Sequence, residues 1–147
     1  MAIDGRPLIS GAGIAGLTLA ICLKEYGEDP VVVEQSPELP DQGYMMDFYG
    51  SGWDVADRMG LVDKLRALRY PIDKLQFVNS EGKPYTSVPI KRMKRALNGK
   101  YVYVRRPDLL RILYERAKAL GVEVRFGTEV TDLRERGTHV DAVSYTH

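Results

Sequence analysis

The chain has 147 residues, the length of one domain, which buries roughly 70 % of its unfolded surface. Apolar residues make up 44 % and charged residues 28 %, and the formal net charge is +1, so bulk charge argues neither for nucleic acid nor for an anionic membrane. The single cysteine, Cys22, excludes an internal disulfide framework, and no apolar run approaches the roughly 20 residues that span a bilayer. The stretch from Met1 to Pro7 is short and polar, unlike a secretory signal, and a cytoplasmic protein without integral membrane contact is the expectation.

Pro7 to Ser10 has the short apolar pattern of a buried parallel strand. A helix follows from Ile14 to Tyr26, apolar nearly all round, with Gly27 at its end. Val31 to Val33 form a second strand that closes with Glu34, which completes a βαβ unit. Gln35 to Gly52 is rich in Pro and Gly and reads as loop, with a strand at Tyr44 to Tyr49. Ser51 is placed to cap a helix that ends near Met59 and Gly60, and a short amphipathic segment runs from Leu61 to Leu68. Leu75 to Val78 and Tyr85 to Val88 flank Asn79-Ser80-Glu81-Gly82 as a hairpin.

Residues 91 to 118 hold ten Lys or Arg against two acids. The run Lys91 to Arg95 has no interleaved aromatics for base stacking, so it reads as a solvated face plus a loop and not as a nucleic-acid patch. Pro107 opens a helix that continues through Leu109, Leu110, Leu113, Ala117 and Leu120 to a stop at Gly121. Val122, Val124 and Phe126 then alternate with charged residues as a half-exposed strand does.

The chemistry is concentrated at "SGAGIAG", residues 10 to 16, where Gly11, Gly13 and Gly16 match G-x-G-x-x-G. Gly11 permits the tight turn out of the strand, Gly13 lets backbone approach a pyrophosphate, and Gly16 lets the helix pack closely on the sheet. The free N–H groups and positive dipole end of the helix stabilise an anion there, so Ala12 and Ile14 join the candidate cradle. Glu34 lies 18 residues past Gly16, at the end of the second strand. A carboxylate there accepts hydrogen bonds from ribose hydroxyls and repels a 2′-phosphate, which favours FAD or NAD over NADP without deciding between them.

"VVVEQSPEL", "GYMMDFYGSGWDVADRMGL" and "RRPDLLRILYERAKALGVEVRFGTEV" resemble the N-terminal part of the class A flavoprotein monooxygenases, close to the tetracycline-inactivating subfamily. The resemblance runs from Pro7 to about Arg136. It implies an α/β, Rossmann-like FAD/NAD(P)-binding fold that also carries the first strands of a substrate-domain sheet, over about residues 71–104. It further implies that Gly11, Ala12, Gly13, Ile14, Gly16 and Glu34 bind the ADP half of FAD. Asp47 falls where the subfamily has an aspartate near the flavin ring, Arg106 on the family arginine that contacts the cofactor, and Val130 where a backbone group meets the adenine side. Gln35 departs from the basic residue common after the glutamate, and its amide retains the capacity to hydrogen-bond the adenosine. Without the resemblance, Asp47 reads equally as a loop carboxylate and Arg106 as a solvated arginine.

The implied activity is insertion of one atom of O2 into a small organic substrate, aromatic or polyketide-like, with NAD(P)H as co-substrate. The cofactor carries that chemistry, so no Ser/His/Asp or metal constellation is required. His139 and His147 belong to no cluster of ligand spacing, Cys22 reads as a small buried core residue, and Trp53 reads as core. Two later family motifs that should follow, an Asp-Gly motif and a Gly-Asp motif, do not occur beyond the glycine turn. The expectation is therefore a fragment that exposes apolar surface and unpaired strand edges, is poorly soluble when expressed alone, and binds FAD weakly or not at all. "VSYTH", residues 143–147, matches one frame of a transposon end used in sequencing-library preparation and is expected to be a non-native tail. Other readings are a non-catalytic FAD- or nucleotide-binding module, or a flavin reductase or halogenase of related fold.

Overall fold

The structure is a computed structural model that describes residues 5–146; the readings that fall on residues 1–4 and on His147 lie outside the described residues. The chain runs β1 (Leu8–Ser10), α1 (Ile14–Glu25), β2 (Val31–Val33), β3 (Met45–Tyr49), α2 (Ser51–Arg58), α3 (Val62–Ala67) and β4 (Lys74–Val78). It continues through β5 (Pro84–Pro89), α4 (Ile90–Ala96), β6 (Tyr101–Arg105), α5 (Arg106–Ala119), β7 (Glu123–Arg125), β8 (Thr128–Glu135) and β9 (Val140–Thr146). Two compact units divide these elements: Met1–Gln42 with Leu109–His147, and Gly43–Asp108.

The first unit contains a parallel sheet of order β1-β2-β7, with Leu8 opposite Val31 and Val31 opposite Glu123. β2 is the central strand and Val31, Val32 and Val33 are all buried, which is why it reads as an unbroken apolar run. α1 connects β1 to β2, so the βαβ unit and the expected α/β, Rossmann-like class are both present. The helix buries Leu17, Ala20 and Ile21 but leaves Leu19 exposed, so it is covered along one stripe and not all round. Its end is closed by Gly27 N–H on the Lys24 carbonyl and Glu28 N–H on the Leu23 carbonyl, with Gly27 at φ +91°. Cys22 is half-buried rather than fully buried, because it lies beside the covered stripe of α1. In α5, Leu109, Leu110, Ile112, Leu113 and Ala117 are buried, and Gly121 follows its end as expected. β8 and β9 form an antiparallel ribbon with a register shift between Val130 and Asp132.

The second unit is built from two antiparallel pairs, β3 with β6 and β4 with β5. The β4–β5 turn is held by Asn79, whose Oδ1 accepts from the N–H groups of Glu81 at 3.0 Å and Lys83 at 2.8 Å. Trp53, Ala56, Met59, Leu61 and Leu65 are buried around α2 and α3, so Trp53 is a core residue. Two local expectations change. Ser51 is the first residue of α2 and not its cap; Gly50 holds that position, with no side-chain bond. The basic run is a helix, α4, because Ile90 is buried and Met93 and Leu97 are half-buried at helical spacing while the cations stay in water. The strand β6 follows it, buried at Tyr101, Val102 and Val104.

Candidate functional site

The glycine turn joins β1 to α1 within the first unit. Gly11 has φ +104°, a conformation L side chains rarely adopt, and its N–H donates to the Val33 carbonyl at 2.7 Å. At Gly16 the constraint is contact: a Cβ there would lie 2.0 Å from the Gly11 carbonyl oxygen and 3.3 Å from Ile9 Cγ2. Gly13 differs from both. It has φ −77°, and a Cβ there would meet nothing within 4 Å. The space in front of Gly13 is therefore open at the point where a ligand would approach the backbone.

Gly13 also precedes the first turn of α1, where Leu17 N–H makes the first helical bond, to the Gly13 carbonyl at 2.9 Å. The N–H groups of Ile14, Ala15 and Gly16 thus have no acceptor inside the helix. No side-chain cap and no acidic first-turn residue neutralises them. The positive end of the helix is available to an anion.

Glu34 closes the turn from the other side. Its Oε2 accepts from Ala12 N–H at 2.9 Å and its Oε1 from Ser36 N–H at 2.8 Å. Its backbone is equally fixed, with Glu34 N–H donating to the Arg125 carbonyl at 2.8 Å and Thr128 N–H donating to the Glu34 carbonyl at 2.9 Å. Partial burial pushes the carboxyl up, but the Ser36 and Ala12 N–H groups and the Ser36 hydroxyl outweigh that and hold it below the ordinary 4.5. The result is an ionised carboxylate with lone pairs left over for hydroxyl donors. Gln35, next in the chain, is exposed. Val130 is half-buried on β8 opposite Ser144, two residues beyond the Thr128 that binds Glu34. The structure therefore brings Gly11, Ala12, Gly13, Ile14, Gly16 and Glu34 together around one turn.

Asp47 and Arg106 lie in the second unit. Asp47 is exposed on β3 and accepts a hydrogen bond from the phenol of Tyr101 on β6, a residue the sequence reading passed over. The Tyr101 side chain is buried, and burial, with the Asp47 carboxylate beside it, holds the phenol well above its ordinary 10.0. Arg106 starts α5; its N–H donates to the Tyr44 carbonyl at 2.9 Å, and its guanidinium lies 5.9 Å from the Tyr44 ring centroid. Ser36 and Thr128 were also missed: each acts through backbone N–H, and only the short spacing of Ser36 from Glu34 hints at its role.

A glycine turn after a parallel strand, an uncapped helix start and a clamped carboxylate at the end of the next strand define a dinucleotide-binding protein. The open approach at Gly13 and the free donors of α1 fit the pyrophosphate of such a cofactor. The chain belongs to the FAD binding domain family, which matches residues 6–147, and the dinucleotide is accordingly FAD.

Over 128 residues the chain is 38% identical to the flavin-dependent monooxygenase eupH of Phoma sp, covering 85% of this chain and 30% of that protein. Over 139 residues it is 31% identical to 3-hydroxybenzoate 6-hydroxylase 1 of Aquipseudomonas alcaligenes, covering 92% and 35%. Among solved structures, tetracycline destructase Tet(55) superposes with a TM-score of 0.75 at 26% identity, over 95% of this chain and 34% of that one. The CtdE structure in complex with FAD superposes with a TM-score of 0.77 at 23% identity, a likeness of fold. The chain spans about a third of the length of the curated relatives it matches. Among the described residues no helix is long and apolar enough to cross a membrane, and no group of His, Cys, Asp or Glu is arranged to hold a metal ion.

Proposed function

We propose that this chain is the FAD-binding portion of a flavin-dependent monooxygenase that inserts one oxygen atom from O2 into a small aromatic or polyketide-like substrate. The observation that supports this most is the Glu34-clamped glycine turn in a chain 38% identical to a flavin-dependent monooxygenase. When bound, FAD supplies the oxygen chemistry: NAD(P)H provides two electrons, one oxygen atom enters the substrate, and the other leaves as water. The protein's own residues bind and orient. Backbone donors at Gly13 and Ile14 face the pyrophosphate, with Gly11, Ala12 and Gly16 shaping the turn that presents them. Glu34 accepts from ribose hydroxyls, Gln35 bonds the adenosine, and backbone at Val130 meets the adenine side. Asp47 acts near the flavin ring and Arg106 contacts the cofactor. Residues 71–104 are the excursion toward the substrate domain, and the protein works in the cytoplasm without a nucleic-acid partner.

The test is to express the protein encoded by the uninterrupted open reading frame around this chain and record its spectrum. Stoichiometric flavin is expected, with NAD(P)H oxidation that rises on adding substrate and transfers one 18O atom from 18O2 to product. Flavin-loaded protein that consumes NAD(P)H without labelling any of a panel of phenolic and polyketide acceptors contradicts the monooxygenase reading and leaves a reductase.

A further inference from the structure

Glu34 is a partly buried carboxylate with no cation paired to it among the described residues, and Gln35 beside it is neutral. Its charge therefore rests on neutral donors. Ala12 N–H serves Oε2 at 2.9 Å, Ser36 N–H serves Oε1 at 2.8 Å, and the Ser36 hydroxyl is a further donor. Ser36 thus supplies more of this support than Ala12 does. Together the donors take most of the roughly four acceptor positions of a carboxylate, so the direction of what remains decides which ligand hydroxyl can use it.

Ser36 is itself held in place. Its carbonyl accepts from Gly127 N–H at 2.9 Å, and Pro37 after it disfavours helical backbone at Ser36. Glu34 is anchored to the same short segment, with its N–H on the Arg125 carbonyl at 2.8 Å and its own carbonyl accepting from Thr128 N–H at 2.9 Å. Donor and acceptor are thus fixed to one stretch of backbone, residues 125–128. Charged neighbours do not bond the carboxylate. β1 and the first turn of α1 carry no charged residue, and β7 carries Glu123 and Arg125, which bond each other at 2.6 Å. β8 opens with Thr128 and Glu129, and the next charge along the loop after Ser36 is Glu38.

We propose that Ser36 is a positioning residue of the FAD ribose site, an assignment that rests on the flavin reading. Its N–H and hydroxyl hold the Glu34 carboxylate in one orientation, so the ribose hydroxyls meet a preorganised acceptor and less ordering is required on binding. Removal of the hydroxyl has two separable consequences. The carboxylate gains freedom, which weakens FAD binding at neutral pH. It also loses one of the groups that hold its carboxyl below the ordinary 4.5, so protonation, and with it loss of FAD, begins at a higher pH as the solution is acidified.

The test is a titration of FAD into the apoprotein of the complete protein, encoded by the uninterrupted open reading frame. Flavin fluorescence follows binding from neutral to acidic pH, with a thermal melt of every variant at each pH to confirm that it is folded. Ser36→Ala is expected to weaken FAD binding roughly threefold to tenfold at neutral pH, the worth of one hydrogen bond. The midpoint of FAD release on acidification is expected to move up by roughly half a pH unit. Ser36→Thr, which keeps the hydroxyl, is expected to restore both. In a Glu34→Ala background Ser36→Ala is expected to cost less than roughly twofold, because the group it positions is gone. Unchanged affinity and pH profile in Ser36→Ala, an equal loss with and without Glu34, or Ser36→Thr as weak as Ser36→Ala overturns the proposal while the flavin reading stands. Folded parent protein that takes up no FAD overturns both.

Discussion

The two units of this chain carry their positive charge in opposite ways. The unit that carries the glycine turn, Met1–Gln42 with Leu109–His147, holds 8 Lys and Arg against 13 Asp and Glu, yet it carries the uncapped helix start that we propose receives the pyrophosphate. Its positive potential comes from backbone N–H groups at the start of α1, so the acidic side chains do not prevent anion binding at that point. Gly43–Asp108, with 13 basic residues against 7 acidic ones, places its positive charge on side chains such as Arg69 and Lys94. The net charge of +1 hides this division entirely. Substitutions in the two units should therefore fail in different ways: backbone geometry decides in one, side-chain packing and charge in the other.

The largest effect is expected from Trp53→Ala. Trp53 is buried, and the Arg66 guanidinium lies 5.4 Å from its ring centroid, so truncation leaves a large cavity and costs about 3–5 kcal/mol. Hydrogen exchange should show protection lost first in residues 43–108. Equal loss in β1, β2 and α1 would mean that the two units unfold as one, and would erase the comparison.

Gly16→Ala comes next. The added Cβ meets a backbone oxygen at 2.0 Å, which no rotamer relieves, so α1 must move off the turn at a cost of about 2–3 kcal/mol. Gly13→Ala is its counterpart: φ −77° and open space allow the methyl group, and thermal stability should change by less than about 0.5 kcal/mol. FAD affinity of the complete protein should nevertheless fall in Gly13→Ala. A Gly13→Ala protein that binds FAD as tightly as its parent would remove the assignment of that space to the pyrophosphate.

Glu34→Ala is smaller, about 1 kcal/mol, from the loss of the bonds to Ala12 and Ser36 in a partly hydrated setting. Its signature is in pH. The folded-state carboxyl sits below the ordinary 4.5, so its contribution is complete above that pH and disappears as pH falls through the lower folded value. Melting temperatures taken from pH 7 downward should converge for parent and Glu34→Ala in acid; a constant gap would show that ionisation of Glu34 is irrelevant.

Much of the first unit was legible because its signals are local. Val31 to Val33 declare a buried strand, and the glycine spacing and the offset to Glu34 describe one turn and the strand end beside it. The second unit was less legible because its key contacts are distant. Tyr101 and Asp47 are separated by 54 positions, and nothing around either residue in sequence points to the other. The apolar positions Ile90, Met93 and Leu97 are sparse within a basic run, so the sequence there reads as a solvated face plus a loop although Ile90 is buried in α4. Ser51 illustrates the reverse error: a strong capping residue type stands one position inside the helix, and Gly50 at φ +64° makes the turn.

A modest effect is expected from Tyr101→Phe, which separates packing from charge within the second unit. The ring surface that Tyr101 buries is retained by phenylalanine, so only the bond to Asp47 is lost, about 1 kcal/mol at neutral pH. The exposed Asp47 carboxylate regains water in exchange, which limits the penalty. Alkali distinguishes the two proteins. The folded-state phenol is raised above its ordinary 10.0, so the unfolded chain releases that proton first, and the stabilisation is complete only below that pH. Denaturation followed from pH 8 to 11 should show the parent losing its advantage over Tyr101→Phe as pH rises past that value. Asp47→Asn supplies the control, since removing the carboxylate removes one of the two main causes of the raised phenol and should shift the onset of tyrosinate absorbance to lower pH. If Asp47→Asn leaves that onset unchanged, burial alone sets the phenol, and the charge on Asp47 is free to act elsewhere.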